Sequence, residues 1–186
     1  MTIKTAIRCA LLAATVAGGA GVTAWSLGVP AGRASAAGEA ATHPCQNFQL
    51  TVRPGQSNGA MGHVAIMYRI HNILPGACTL FGYPGAELLD RNFKSLPTLV
   101  VRGLLFLAGK QAPSTVTLQG SRDAYFVLEW DHFPSPGQTC PPASYLLITP
   151  PNDRLPVVTY ASRGGNAIVA CGGHLTVSPV SQHTQF

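Results

Sequence analysis

Apolar and polar side chains alternate through most of this chain, most clearly between Gly62 and Asn72. There Val64, Ile66, Tyr68 and Ile70 fall on every second position, with Ala65, Met67, Arg69 and His71 between them. That is the period of a half-buried β-strand, and a helix does not keep it. Residues Ile73 to Gly76 break the strand, Cys78 opens a second, and Tyr83, Pro84 and Gly85 place Pro at i+1 and Gly at i+2 of an expected type II turn into a third at Ala86 to Asp90. Upstream, Phe48, Leu50 and Val52 alternate in a first strand, and the turn formers from Arg53 to Gly62 predict a loop.

Downstream, Phe126, Leu128 and Trp130 alternate with Tyr125, Val127, Glu129 and Asp131, predicting a strong strand over 124–131 with Trp130 in the core. Shorter strands are predicted at Val116 to Leu118, Tyr145 to Thr149, Val157 to Tyr160, Ile168 to Val169 and Leu175 to Val177. With turn signals at short intervals and no internal repeat, the pattern predicts an all-β fold, an immunoglobulin-like antiparallel β-sandwich of about seven to nine strands. One segment has no clean period. Leu99 to Ala108 is apolar almost throughout, so helix, edge strand and apolar loop all remain open there, with Gly103 counting against an uninterrupted helix.

The N-terminus changes the picture of where this fold works. Lys4 and Arg8 precede an apolar stretch from Cys9 to Val29, and Ala34, Ser35 and Ala36 put small residues where signal peptidase cuts, so residues 1–36 read as an export signal. Glycines 18, 19, 21 and 28 make this stretch a poor spanning helix, although it is long enough to stay on as an anchor. Residues 37–44 then form a flexible lead-in, 45–180 the single β-sandwich domain and 181–186 a C-terminal tail. Of the 12 Lys and Arg, Lys4, Arg8 and Arg33 go with the signal, which leaves nine against 7 Asp and Glu, a net +2. Arg53 to Arg122 carries seven of these cations against Glu87 and Asp90, a bias toward an anionic partner; ordinary scattered surface charge is the plainer reading.

Removing the signal leaves Cys45, Cys78, Cys140 and Cys171. In an exported chain an even set is a disulfide framework first; four cysteines allow three connectivities, and the spacings suit two local staples.

Candidate chemistries are weak by comparison. Cys171 and His174 stand at a Cys-x-x-His spacing that would suit copper, but no Met follows Met67 as an axial ligand, and Cys171 has other cysteines to pair with. His63 and His71 lie at opposite ends of one strand, roughly 26 Å apart, too far to share a metal. Glu129 and Asp131 lie two apart on a face that the alternation places in solvent, so a solvated carboxylate pair is expected rather than a working acid. Asp131, His132 and Ser135 lack the Gly-x-Ser-x-Gly elbow of a serine hydrolase. Phosphate-binding glycine loops and basic-aromatic clusters are absent from the sequence, which argues against nucleic-acid binding.

Several motifs taken in order form a specific series: Gly62 and His63, Cys78 through Gly85, Val116 to Leu118, Leu128 to Trp130, Leu147 to Asn152, and Cys171 to Pro179. In this series the chain resembles the exported four-cysteine domains of unknown function common in actinobacteria, the domain of unknown function 4232 family, over nearly all of 45–180. The resemblance implies a secreted or envelope-attached β-sandwich with Cys45 paired to Cys78 and Cys140 to Cys171. It implies no activity, substrate or catalytic residue. The chain departs from the family pattern between Arg102 and Pro113, where a more polar connection would be expected.

The sequence therefore points to a non-enzymatic, cofactor-free, metal-free monomer that binds an envelope component, whether protein, polymer or lipid. A purely structural surface domain is the alternative, followed by an exported enzyme or metal-binding protein. The apolar run Leu104, Leu105, Phe106 and Leu107 between Arg102 and Lys110 is the candidate interaction surface, against the plainer reading that it completes the core from an edge strand.

Overall fold

The computed structural model describes residues 42–186; the expected signal, its cleavage point and most of the lead-in lie outside them. The strands are β1 (His43–Pro44), β2 (Leu50–Ala60), β3 (His63–Asn72), β4 (Cys78–Phe81), β5 (Gly85–Leu89), β6 (Leu99–Arg102), β7 (Thr115–Leu118), β8 (Asp123–Asp131), β9 (Pro142–Ala143), β10 (Tyr145–Thr149), β11 (Val157–Tyr160), β12 (Ile168–Val169) and β13 (His174–Val177). A five-stranded sheet in the order β2-β3-β8-β13-β6 is the largest layer; β11-β10-β5 and β1-β4-β7 form three-stranded sheets, and β12-β9 a two-stranded one. The expected all-β fold is thus present, and it is sandwich-like. Ile66, Tyr68, Ile70, Phe126, Leu128 and Leu175 from the large sheet share one core with Leu80, Leu88, Val116, Leu146 and Ile148 from the smaller ones.

Partner choice is where the structure differs from the alternation. β3, β4 and β5 do not pair in sequence: β3 lies between β2 and β8, β4 between β1 and β7, and β5 joins β10. Two pairings, β1 with β4 and β13 with β6, are parallel. The segment expected to be a loop from Arg53 to Gly62 is mostly strand. β2 runs to Ala60 with a register shift between Pro54 and Ser57, and only Met61 (φ 51°) and Gly62 (φ 87°) turn the chain into β3. Two successive positive φ values are what a tight hairpin needs, and Pro54 is tolerated because β2 is an edge strand of its sheet. The expected type II turn at Gly85 is also absent: Gly82 takes the positive φ, 104°, and Gly85 already belongs to β5. Beyond residue 180 the chain stays on the sheet, with Ser181 and Tyr125 exchanging backbone hydrogen bonds at 2.7 and 2.8 Å.

Tyr68 ties the layers together. Its ring stacks on Phe126, and its hydroxyl donates to the carbonyl of Ala161, in the turn after β11. Complete burial holds this phenol protonated well above its ordinary range. Because the folded state keeps the proton longer than the unfolded chain, Tyr68 leaves stability intact below pH about 10 and lowers it as pH rises further. Tyr68→Phe is expected to cost about 1–3 kcal/mol in urea unfolding at neutral pH, since the Ala161 carbonyl is left buried without its donor. The variant should also lose part of the parent's decline in stability above pH about 10.

Candidate functional site

Between β6 and β7 the chain crosses the outer face of the large sheet, and the candidate surface lies there. Gly103, at φ 140°, swings the chain away from β6, and backbone bonds between Leu105 and Gly109, at 3.0 and 3.3 Å, close the next residues into a small turn. Glu129 of β8 points up beneath this turn. One carboxylate oxygen accepts the Phe106 amide and the other the Leu107 amide, both at 2.8 Å. A carboxylate with both oxygens taken by main-chain donors is a post to which a loop is tied.

The expectation that Glu129 and Asp131 form a solvated pair is therefore half wrong. Asp131 is exposed, but Glu129 is buried. The cause is the loop itself: Leu105 packs with Ala65, Met67 and Val127 in a second small core that Leu107 and Phe186 flank. Both faces of β3 and β8 are covered here, so β3 is not the half-buried strand its period suggested.

The same packing divides the candidate interaction surface. Leu105, at 1% exposure, belongs to the second core and is no part of any surface, and Leu107 is half-buried. Leu104 (71%) and Phe106 (55%) face solvent, as do Arg102 and Lys110. The surface thus contracts to two large apolar side chains flanked by two cations.

Beside the turn lies a groove of about 470 Å³ lined by His63, Leu104, Phe106, Glu129, Asp131 and His174. His63 stacks on Phe106 with ring centroids 4.5 Å apart, and its Nδ1 lies 2.9 Å from Asp131 and 3.7 Å from Glu129. The sequence showed Glu129 with Asp131 as one pair and Leu104 with Phe106 in one run, but not that His63 and His174 join both at one groove. A lone Glu among Val127, Leu128 and Trp130 is the signal that could have shown it, because a buried carboxylate needs donors and a crossing loop supplies them.

The other candidates are placed apart. His71 meets Asp123 at 2.7 Å, and Arg69 meets the same carboxylate at 3.3 Å. Asp131 turns to His63. Ser135 donates its amide to Gln138 within its own loop. Cys45 is bonded to Cys78 and Cys140 to Cys171, so no thiolate is left at Cys171 for copper. Among the described residues no three His, Cys, Asp or Glu side chains are grouped to hold a metal ion.

The family model described as Domain of unknown function (DUF4232) matches residues 45–181, and the chain belongs to that family. The match begins at the first disulfide cysteine and ends at the residue that bridges to Tyr125. No curated protein matches the chain, and no solved structure does.

Proposed function

We propose that this member of the family is an exported, non-catalytic binding module that engages an anionic, lipid-bearing surface of the cell envelope through Leu104 and Phe106. The observation that carries the reading is the mounting of the loop. Two large apolar side chains stand in solvent on a turn whose backbone is tied to the buried Glu129 and whose neighbour Leu105 is locked into a core. A loop positioned by a rigid scaffold in this way holds its exposed side chains in a fixed place, as binding loops do. Arg102 and Lys110, exposed on either side of the apolar tips in the sequence, suit an interface where acyl chains lie beneath anionic headgroups. Two disulfides agree with an oxidising compartment outside the cytoplasm. The non-catalytic reading is supported by Glu129, whose two oxygens are both engaged by main-chain amides.

The test separates presentation from packing. Leu104→Ala and Phe106→Ala are each expected to change stability by less than about 0.5–1 kcal/mol, while Leu105→Ala costs about 2 kcal/mol in thermal or urea unfolding. Co-sedimentation with phosphatidylglycerol-containing vesicles should be lost in the Leu104→Ala/Phe106→Ala double variant, and neutral vesicles should bind weakly. Equal sedimentation of parent and double variant would end the reading.

A further inference from the structure

The outer face of the β11-β10-β5 sheet carries a second surface that shares no residue with the loop above. Phe93, Tyr145 and Tyr160 stand side by side there. Tyr145 and Tyr160 are directly opposite across the β10–β11 ladder, with ring centroids 5.3 Å apart. Phe93, from the turn after β5, stacks on Tyr145 at 4.3 Å with the planes 19° apart. Phe93 and Tyr160 are each more than half exposed.

Phe93 holds its place against a backbone cost. Its φ is 61°, a conformation that a bulky side chain rarely takes. The turn enforces it: the Asp90 carboxylate accepts the amides of Asn92 at 2.7 Å and Lys94 at 2.9 Å, while the Phe93 amide donates to the Asp90 carbonyl at 3.1 Å. The Lys94 amide foremost holds the Asp90 carboxyl below the usual range, so this brace is charged at neutral pH. A glycine would make the same turn without strain, so the turn alone does not account for Phe93. What the residue adds is a third ring in the row.

The row borders a groove of about 650 Å³ between β2 and β11, along which stand Arg53, Ser162 and Arg163. No Asp or Glu lines it. Neither arginine is paired with a carboxylate among the described residues. Aromatic rings offer apolar, electron-rich surface to the C–H faces of pyranose rings, hydroxyl and phenol groups match sugar hydroxyls, and guanidinium groups recognise carboxylates by paired hydrogen bonds. A neutral glycan would use the rings and leave the cations idle; an acidic peptide would use the cations and leave the rings without a matching face. We infer that this groove binds an acidic polysaccharide, a chain of carboxylate-bearing pyranose units, with Phe93, Tyr145 and Tyr160 as the stacking row and Arg53 and Arg163 as the anion contacts.

Calorimetric titration of the purified, disulfide-intact full chain tests this, using oligogalacturonate, maltohexaose, poly-L-glutamate and oligothymidylate as probes. Oligogalacturonate should bind, and maltohexaose should bind at least about tenfold more weakly. Removing one stacking ring, by Phe93→Ala or Tyr160→Ala, should weaken oligogalacturonate by about tenfold or more, as loss of a stacking partner does for other ring ligands. Arg163→Gln and added salt should each weaken it too. Phe93→Gly is the decisive variant, because it relieves the strained backbone: its melting temperature should equal or exceed the parent's while binding falls as in Phe93→Ala. The inference is overturned if oligogalacturonate does not bind, if poly-L-glutamate or oligothymidylate binds equally well, or if binding survives loss of Phe93 and Tyr160.

Discussion

Gly173→Ala is expected to destabilise the fold by about 2–5 kcal/mol, a large share of the roughly 5–15 kcal/mol that holds a domain of this kind together. A Cβ at this position would lie 1.9 Å from the Pro97 carbonyl oxygen and 2.7 Å from its carbon. Both atoms are main chain, in the segment that leads into β6. They cannot withdraw, because β6 and β13 pair in parallel from Leu99 and His174, immediately after the point of contact. The substitution also places a side chain at φ 71°, in the region that costs an L-residue about 1–2 kcal/mol. Overpacking against backbone adds about 1–3 kcal/mol or forces the two strands apart. Gly172→Ala is the control: φ there is 68°, but the nearest atom, 2.8 Å away, is the far end of the Gln138 side chain, which can move. It should cost only the backbone term. Urea unfolding of both variants measures the difference, and a Gly173→Ala protein within about 0.5 kcal/mol of the parent would contradict the close approach.

The contrast between the two glycines also marks the limit of reading this chain from its sequence. A period of two reports local burial, so the core side of β3 and of β8 was legible, while β10 and the short strands near residues 116, 157 and 175 were legible as strands; in β11 the buried residue is Thr159, with Val158 and Tyr160 exposed, which no apolar period marks. Partner choice is not local. Nothing in the residues from Leu99 to Arg102 says that they join β13 in parallel, nor that Pro97 then meets Gly173. Turn formers misled where an edge strand tolerates them: Pro54, Gly55 and Gly59 lie within β2, which has a partner on one side only. For the site, the apolar run Leu104 to Leu107 was named as a whole, and nothing in its sequence told the exposed Leu104 and Phe106 from the buried Leu105. Leu105 and Glu129 were misplaced because their burial depends on a loop crossing a sheet more than twenty residues away in sequence. Phe93 carried no signal at all, since its strain and its stacking partner exist only once β5 and β10 are side by side.

Removing the Cys45–Cys78 bridge is expected to cost roughly 3–4 kcal/mol by the chain-entropy account, and to lower the melting temperature by roughly 10–15 °C. The bridge spans 33 residues, and both cysteines are wholly buried within the main core. Its position gives it more to hold than the loop length alone. Besides the bridge, the chain before β2 is attached to the sandwich by the two-residue pairing of β1 with β4, by the Cys45 amide, which donates to Thr79 at 2.9 Å, by the Asn47 amide, which donates to the Asp153 carboxylate, and by the Gln49 carbonyl, which accepts the Ile73 amide at 2.8 Å. Without the covalent tie these few bonds face solvent competition at a frayed end. The Cys140–Cys171 bridge closes a loop of nearly equal length, 31 residues, so the entropic part should be the same. Cys140 is only half-buried, however, and the bridge clips the short β9–β12 ladder rather than the main core. Cys45→Ala/Cys78→Ala should therefore melt lower than Cys140→Ala/Cys171→Ala, the gap reporting the buried packing that the first bridge contributes. Full reduction of the parent should approach the sum of the two losses. A reduced protein that melts within a few degrees of the oxidised one, about the shift of a single kcal/mol, would show that the core stands without its staples.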